Sequence, residues 1–186
     1  MPRIPKVHEK AQLMSASEIE RTLVRLAHEI MEKGNGATDL VLVGIRRRGV
    51  PLAQRLAAII QRNEHKEVPV GTLDITLYRD DLSMVAPRPV VQKSEVGTPV
   101  ADKDIVLVDD VLYTGRTARA AMDALFAGGR PRRVQLCVLI DRGHRELPIE
   151  AAFVGRKVQT TQDEIIEVKV KEIDGTEKVM LAERER

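Results

Sequence analysis

The segment that most constrains the fold of this 186-residue chain is DIVLVDDVLYTGRT, residues 104–117. Residues 105–108 are apolar and mostly β-branched, and the run is too short for a typical helix, so it predicts a buried parallel strand. Two carboxylates, Asp109 and Asp110, follow at the end of that strand, and a hydroxyl-rich turn comes next. Residues 118–128 have a helical composition with one apolar face. Together, this strand, loop and helix predict a ligand-binding crevice in an open α/β sheet.

The loop of this segment predicts a site for a sugar phosphate. Backbone N–H groups of a Thr-Gly-x-Thr turn at a helix start point toward an anion, and the helix dipole adds about 0.3–1 kcal/mol of preference for negative charge. Thr114 and Thr117 supply hydroxyl donors, and Gly115 lets the backbone approach a phosphate. Asp109 and Asp110 would repel that phosphate, so we expect them to face ribose hydroxyls or a divalent cation held through water. The alternative is that Asp109 merely caps the helix and Thr-Gly forms an ordinary turn.

Three consecutive arginines, Arg46, Arg47 and Arg48, follow a second apolar run, Leu40–Ile45, which predicts another buried strand. Arginine forms charge-assisted hydrogen bonds to phosphate oxygens. An arginine loop at the carboxyl end of a strand therefore predicts a cationic site for a diphosphate. The alternative is ordinary surface charge between two elements.

The remaining sequence predicts a doubly wound α/β domain. A helix is expected over residues 15–33, with Ser15 or Ser17 as the N-cap and a glutamate three residues later in each case, as in a capping box. Other predicted elements are a helix at 50–62, strands at 68–78, 134–140 and 151–154, and a closing hairpin of 165–170 and 178–181 turned at Asp174-Gly175. Residues 79–103 predict a mobile lid or a β-hairpin arm, and residues 141–186 a small hood.

The composition is that of an ordinary globular protein, with 43% hydrophobic and 31% charged residues, and predicts one domain over residues 1–186. The N-terminus lacks the apolar region of a signal peptide, and no apolar run is long enough to span a membrane, so we expect a cytoplasmic location. The single cysteine, Cys137, excludes an intrachain disulfide and is predicted to be a core residue. A net charge of +2 does not by itself indicate a nucleic-acid binder. The excess of basic residues over 130–157 fits a solvated face or a polyanion site.

Residues 104–117 resemble the phosphoribosyl-pyrophosphate (PRPP) motif of type I phosphoribosyltransferases. The resemblance becomes more specific when four further stretches are included, namely 27–29, 42–45 with 48–49, 74–82 and 141–149. With them, nearly the whole chain is similar to the PyrR family of bifunctional pyrimidine-operon attenuation regulators and uracil phosphoribosyltransferases. This resemblance implies a mainly parallel, twisted sheet flanked by helices, with a small hood and a flexible lid.

The resemblance implies the reaction of uracil with PRPP to give UMP and diphosphate. It assigns catalysis to Arg48, Arg79, Asp109 and Asp110. It also implies Mg²⁺, held mainly by the diphosphate and water, with Asp109 and Asp110 as candidate ligands. The implied substrate-binding residues come from the arginine loop, the lid, the PRPP loop and the hood: Arg46, Arg47, Arg48, Arg79, Asp109, Asp110, Val111, Leu112, Tyr113, Thr114, Gly115, Arg116, Thr117, Arg142 and Val158.

The resemblance also implies UMP-promoted binding of a pyrimidine-operon mRNA leader by a homodimer or larger homo-oligomer. The residues implied to contact RNA are Arg25, His28, Arg145 and Arg156. With only two tyrosines and two phenylalanines, the chain is not expected to stack RNA bases on an aromatic platform.

Three positions depart from the pattern of the relatives. Arg47 replaces the threonine that they commonly carry, Val24 a hydroxyl residue in some of them, and Glu150 an arginine. Because Glu150 would repel RNA phosphates, the alternative function is that of a plain phosphoribosyltransferase, for uracil or another base, which serves pyrimidine salvage without RNA regulation.

Overall fold

The computed structural model describes residues 7–34, 36–75 and 96–184, except for the side chain of Arg184. In chain order its elements are β1 (Val7–Ser15), α1 (Ala16–Lys33), β2 (Leu40–Ile45), α2 (Gly49–Glu64), β3 (Val70–Leu73), β4 (Asp104–Leu112), α3 (Arg116–Ala127), β5 (Arg133–Asp141), β6 (Phe153–Lys157), β7 (Glu164–Lys169), α4 (Lys171–Asp174) and β8 (Lys178–Arg184).

The described strands form two sheets. Five parallel strands make the central sheet in the order β3-β2-β4-β5-β6. The antiparallel strands β1, β8 and β7 form the second sheet in that order. Strand β2 lies between β3 and β4, so the order of the central sheet reverses at the β2–β4 pair. A crevice at the carboxyl ends of the strands is expected at such a reversal.

The core occupies both faces of the central sheet. Along β4, Val106 and Val108 pack with the buried residues of α1 and α2, whereas Ile105 and Leu107 pack with those of α3. This alternation explains why the strand is apolar throughout, since both of its faces are buried. The thiol of Cys137 is buried in the same core, as predicted, and burial raises its pKa to about 12.

The capping box predicted for the first helix is confirmed, and Ser15 is the N-cap. The Glu18 amide donates to Ser15 Oγ at 3.3 Å, and the Ser15 amide donates to Glu18 Oε2 at 2.8 Å. Ser17, the other candidate, lies inside the helix. The predicted apolar stripe of α1 is buried, so sequence periodicity located both the start and the inward face of this helix.

Strand β4 is longer than predicted. It continues past the expected apolar run of 105–108 to Leu112, because β5 still pairs with Val111 and Leu112 after β2 has ended. Asp109 and Asp110 therefore lie within the strand, where the prediction had placed them just after it. The pairing of β4 with β2 ends at Val108, so both carboxylate residues come directly after the last residue of β4 that pairs with β2.

The other predicted elements are present with shifted ends, and one strand was missed. Strand β1 was not predicted because its side chains are mostly polar and exposed; pairing with β8 holds it in place. The predicted hairpin contains the one-turn helix α4, after which Gly175 turns the chain at φ 68°. The structure does not describe residues 76–95, so most of the predicted lid over residues 79–103 lies outside the described residues. No described helix combines the length and the hydropathy that a membrane span needs.

Gly49 provides a test of how closely the start of α2 packs on β4. A Cβ atom at residue 49 would lie 2.2 Å from the carbonyl oxygen of Val108, which precedes the two carboxylates. We expect Gly49→Ala to lower the free energy of unfolding by about 2–3 kcal/mol, because two backbones would have to separate. Urea denaturation measures the change. Gly128→Ala is the matched control, since its Cβ would meet only ordinary contact at 3.4 Å. Equal stability of the two variants would contradict the close approach.

Candidate functional site

The arginine loop and the two carboxylates meet at one edge of the central sheet. Strands β2 and β4 are parallel neighbours, with Gly44 opposite Val108, so the residues that follow each strand emerge side by side. The loop of residues 46–48 follows β2, and Asp109 and Asp110 lie near the carboxyl end of the neighbouring strand β4. Positive and negative groups from sequence positions about sixty residues apart thus line the crevice at the reversal in strand order.

Asp109 and Asp110 are half-buried and close enough to influence each other's ionisation. Burial and the neighbouring charge of Asp110 hold the pKa of Asp109 well above its usual range. Burial also raises the pKa of Asp110, against the opposing effects of its hydrogen bonds and of the Arg48 charge. The pair therefore holds a proton more readily than two exposed carboxyls would, and a cation or a hydroxyl donor that binds the ionised form would displace that proton.

The predicted phosphate turn lines a cavity of about 250 Å³ between β4, β5 and the start of α3. Gly115 is the N-cap residue of α3 and has φ 93°, a left-handed conformation that favours glycine. The first-turn amides of α3 have no intrahelical acceptors. The Arg116 amide donates to Thr114 Oγ1 at 3.3 Å, and the amides that follow it can donate to an anion. The predicted residues that line this cavity are Asp109, Val111, Leu112, Tyr113, Thr114, Gly115, Arg116 and Thr117.

A support behind this turn was not predicted. The amides of Glu146 and Leu147 donate to the Thr114 carbonyl oxygen at 2.9 and 3.2 Å, and Arg116 Nε donates to the Glu146 carboxylate at 2.7 Å. A side chain at Gly115 would meet Ile149 and Leu147. The segment after β5 therefore fixes the turn from outside, which the spacing of the turn residues alone does not reveal.

Two arginines of the arginine loop lie close to carboxylate side chains in the described part of the chain. Arg46 lies 3.9 Å from Asp74, and both side chains are largely exposed. Arg48 binds Asp174 through two hydrogen bonds, of 3.1 Å from Nε and 2.7 Å from Nη2. Arg47, joined to Arg46 by a cis peptide bond, has no ion-pair partner within the described part of the chain. Arg46 and Arg47 line a cavity of about 610 Å³ beside the start of α2.

A third cavity, of about 740 Å³, lies in the predicted hood and contains Arg142 and Val158. The Arg142 guanidinium lies 4.0 Å from the ring centre of Tyr113 and donates to Thr160 Oγ1 and the Thr161 carbonyl oxygen, at 3.2 and 3.1 Å. The Val158 amide donates to the Asp141 carbonyl oxygen. Because Tyr113 belongs to the phosphate turn, its contact with Arg142 joins the two cavities.

The four residues predicted to contact RNA have different surroundings. Arg25, His28 and Arg156 are exposed on α1 and β6, and Arg25 links these elements by donating to the Gly155 carbonyl oxygen at 2.5 Å. Arg145 is instead held by three acceptors, Asp141 Oδ2 at 2.6 Å, the Tyr113 carbonyl oxygen at 2.8 Å and the Ile149 carbonyl oxygen. The structure thus groups three of the four on one exposed surface.

Three further predicted positions complete the comparison. Val24 and Glu150, which depart from the pattern of the relatives, are both exposed. Arg79, assigned to the lid, lies outside the described residues. Asp174 was missed as a site residue, although its sequence position at a predicted turn was noted, because nothing in the local pattern links it to an arginine 126 positions earlier.

The donor set at the crevice suits a hard cation that keeps part of its water shell. Within the described ranges, no cluster of three or more histidine, cysteine or acidic side chains could hold a metal ion. Asp109 and Asp110 offer carboxylate oxygens, which magnesium prefers, while its remaining positions are commonly filled by water and substrate phosphates. These residues therefore fit a cation that arrives with a phosphorylated ligand.

Comparisons with known proteins show which family this chain resembles along most of its length. Residues 10–173 match the phosphoribosyl transferase domain family. A Thermus thermophilus relative named bifunctional protein PyrR is 59% identical over 95% of this chain and 97% of its own length. A relative of the same name from Pelotomaculum thermopropionicum is 58% identical over 94% and 97%.

Solved structures of similar fold are phosphoribosyltransferases. The hypoxanthine phosphoribosyltransferase of Trypanosoma cruzi has a TM-score of 0.72 at 15% identity, covering 95% of this chain and 98% of that one. A hypoxanthine-guanine phosphoribosyltransferase from Bacillus anthracis has a TM-score of 0.69 at 17% identity, with coverages of 95% and 99%. At these identities the likeness concerns the fold alone, and it confirms the predicted fold class.

The raised pKa of Asp109 has a consequence for stability. A carboxyl whose pKa is higher in the folded state binds more protons there, so its ionisation lowers stability as pH rises from its unfolded to its folded pKa. We expect Asp109→Asn to raise the free energy of unfolding at pH 8, because the neutral amide removes a charge that burial and the neighbouring Asp110 disfavour. The gain should vanish near pH 4. Urea denaturation at both pH values measures it, with Asp123→Asn on the exposed face of α3 as the control.

Proposed function

This chain belongs to the PyrR family of phosphoribosyltransferases, and from that premise we propose that it makes UMP from uracil and PRPP and binds pyrimidine-operon leader RNA under the control of UMP. The observation that carries the enzymatic part is the placement of two carboxylates between a phosphate turn and an arginine loop. The turn suits a phosphate, the carboxylates suit a ribose and the arginine loop suits a diphosphate, which is the order in which these groups are joined in PRPP. Both relatives quoted above carry the name bifunctional protein PyrR, which states two functions.

The reaction replaces one bond at the ribose C1′ atom by another. The bond from C1′ to the diphosphate oxygen breaks, a bond from C1′ to uracil N1 forms, and the N1 proton passes to solvent or to the leaving diphosphate. Positive charge develops on the ribose as the diphosphate leaves with negative charge. Cations on the leaving side and carboxylates near the sugar stabilise these charges when they are held in place beforehand. The chain then has to bind and orient two substrates, and the reaction needs no protein nucleophile.

Each part of the crevice has an assigned task in this proposal. The turn of residues 114–117 binds the 5′-phosphate through its amides and hydroxyl groups. Asp109 and Asp110 hold the ribose hydroxyls, and the loop of residues 46–48 holds the diphosphate. Arg79, from the segment outside the described residues, is proposed to close over the diphosphate from the lid.

Mg²⁺ is proposed as the cofactor, carried by the diphosphate and water, with Asp109 and Asp110 as its protein ligands. When bound, it would supply positive charge beside the leaving diphosphate. Because both carboxyls have raised pKa values in the free protein, the cation would bind in competition with protons. Affinity for the magnesium complex of PRPP should therefore rise with pH over the range in which the pair ionises.

The hood cavity is proposed to hold uracil. Its lining includes Arg142 and Val158, and the Arg142 guanidinium is already held by Thr160 and Tyr113. The backbone around Val158 can read the uracil edge through its amide and carbonyl groups, as the family resemblance implies. Because this cavity lies close to Tyr113, a base bound in it would lie beside the nucleotide turn.

The regulatory part rests on the exposed basic side chains of α1 and β6. Arg25, His28 and Arg156 lie exposed on these two adjoining elements, where RNA phosphates and base edges can reach them. RNA would compete with their present partners, which are Glu29 and the Gly155 carbonyl oxygen for Arg25, Asn63 for His28, and Glu18 and the Leu13 carbonyl oxygen for Arg156. We propose a homodimer or larger homo-oligomer as the RNA-binding form. A plain phosphoribosyltransferase of pyrimidine salvage is the second candidate function, and the exposed Glu150 favours it because its charge would repel RNA.

Substitution of Asp110 tests the enzymatic proposal. We expect Asp110→Asn to lower kcat for UMP formation by about 10²–10³-fold, because a charge held near the developing positive ribose is lost. Turnover of labelled uracil with PRPP and Mg²⁺ measures the effect, and circular dichroism verifies the fold. Asp123→Asn on α3 is the matched control. An unchanged rate in Asp110→Asn would remove Asp110 from the catalytic site.

Binding of leader RNA across a salt series tests the regulatory proposal. We expect UMP to tighten binding and added salt to weaken it, because phosphate contacts release counterions. Arg25→Gln should weaken binding and reduce the slope of log affinity against log salt by about 1. Arg119→Gln on α3, which packs on the opposite face of the central sheet, is the matched control and should bind as the unchanged protein does. Normal UMP synthesis without RNA binding at low salt would favour the salvage function.

A further inference from the structure

Arg48 is held by a residue of the connection between β7 and β8, in the second sheet, and not by a residue of the crevice. Asp174, the last residue of α4, accepts from Arg48 Nε at 3.1 Å and from Nη2 at 2.7 Å. A bidentate arginine–carboxylate pair fixes the plane of the guanidinium as well as its position. Both side chains are partly shielded from water, at 36% and 16% exposure, so this pair is less screened than a surface ion pair.

Asp174 is itself fixed by the backbone. Its Oδ2 atom accepts the Val170 amide at 2.8 Å, while Gly175 ends α4 in a left-handed conformation. A second arginine fastens the same connection, since Arg55 of α2 donates to both oxygens of Glu172, at 2.7 and 2.6 Å, and to Glu177. The connection between β7 and β8 is therefore attached to α2 and to the loop that precedes it.

The geometry of the pair leaves part of Arg48 available. Asp174 occupies the Nε–Nη2 edge of the guanidinium, and the Nη1–Nη2 edge has no acceptor in the part of the chain that the structure describes. Arg48 is also close enough to Asp110 for each to affect the other's ionisation. The free edge can thus take an anion near the carboxylates without breaking the bonds to Asp174. An arginine fixed in this way loses less conformational entropy when an anion binds.

We propose that Asp174 is a positioning residue that orients Arg48 toward the diphosphate end of the substrate. This inference rests on the proposed function, in which residues 46–48 hold the diphosphate. Asp174 does not touch the substrate and acts through Arg48. Through this contact the connection between β7 and β8 takes part in diphosphate binding, although it lies far along the chain from the crevice loops.

The test is a double-mutant cycle measured with inorganic diphosphate and Mg²⁺. Calorimetry gives the diphosphate affinity of the unchanged protein, Asp174→Asn, Arg48→Gln and the double variant. We expect Asp174→Asn to weaken binding about tenfold and to raise the KM for PRPP similarly, with the KM for uracil unchanged. In the Arg48→Gln background the same substitution should have almost no further effect, because the two residues act as a unit.

Glu177→Gln is the matched control, since it removes a carboxylate of the same connection that pairs with Arg55 and not with Arg48. It should bind diphosphate as the unchanged protein does, even if both variants lose stability in urea. The proposal is overturned if Asp174→Asn binds diphosphate equally well or more tightly, if the two effects add in the double variant, or if the unchanged protein binds no diphosphate. Diphosphate binding without UMP synthesis would instead defeat the proposed function and leave the orienting role standing.

Discussion

The repulsion between Asp109 and Asp110 is the constraint on which the site depends. Burial raises the pKa of both carboxyls, which are half-buried near the end of β4, and the neighbouring charge of Asp110 raises the pKa of Asp109 further. A fold retains such a pair where a ligand needs it, and the groups around it reduce the cost. Arg48 supplies a compensating charge on one side. On the other, Asp109 faces the cavity of the phosphate turn, where a ribose would bring hydroxyl donors.

The parts of this arrangement that are local in sequence could be predicted. Residues 104–117 contain their own strand, carboxylates and turn, so their spacing was sufficient to predict a strand, a turn and a helix start at this place. The start of α1 at Ser15 followed from the capping box for the same reason. Three consecutive arginines after a strand indicated an anion site without any knowledge of the sheet order.

Contacts that depend on strand order could not be predicted in this way. Asp174 binds Arg48 across 126 positions, and the Thr114 carbonyl oxygen is satisfied by amides more than thirty residues later. Strand β1 has no apolar alternation and exists because β8 pairs with it. The end of β4 was misjudged because polar residues there remain paired with β5. In each case the stabilising partner comes from another element, and no local pattern records it.

Arg145 shows how closely nucleotide binding and RNA binding are connected in this fold. It was predicted to contact RNA, yet its guanidinium donates to the Tyr113 carbonyl oxygen of the phosphate turn and to Asp141 at the end of β5. To reach an RNA phosphate it would have to give up bonds that hold the turn. A weaker RNA affinity after substitution of Arg145 would therefore not identify a contact by itself, because the UMP site would change as well. Arg25 and Arg156, which do not bond to the turn, separate the two effects.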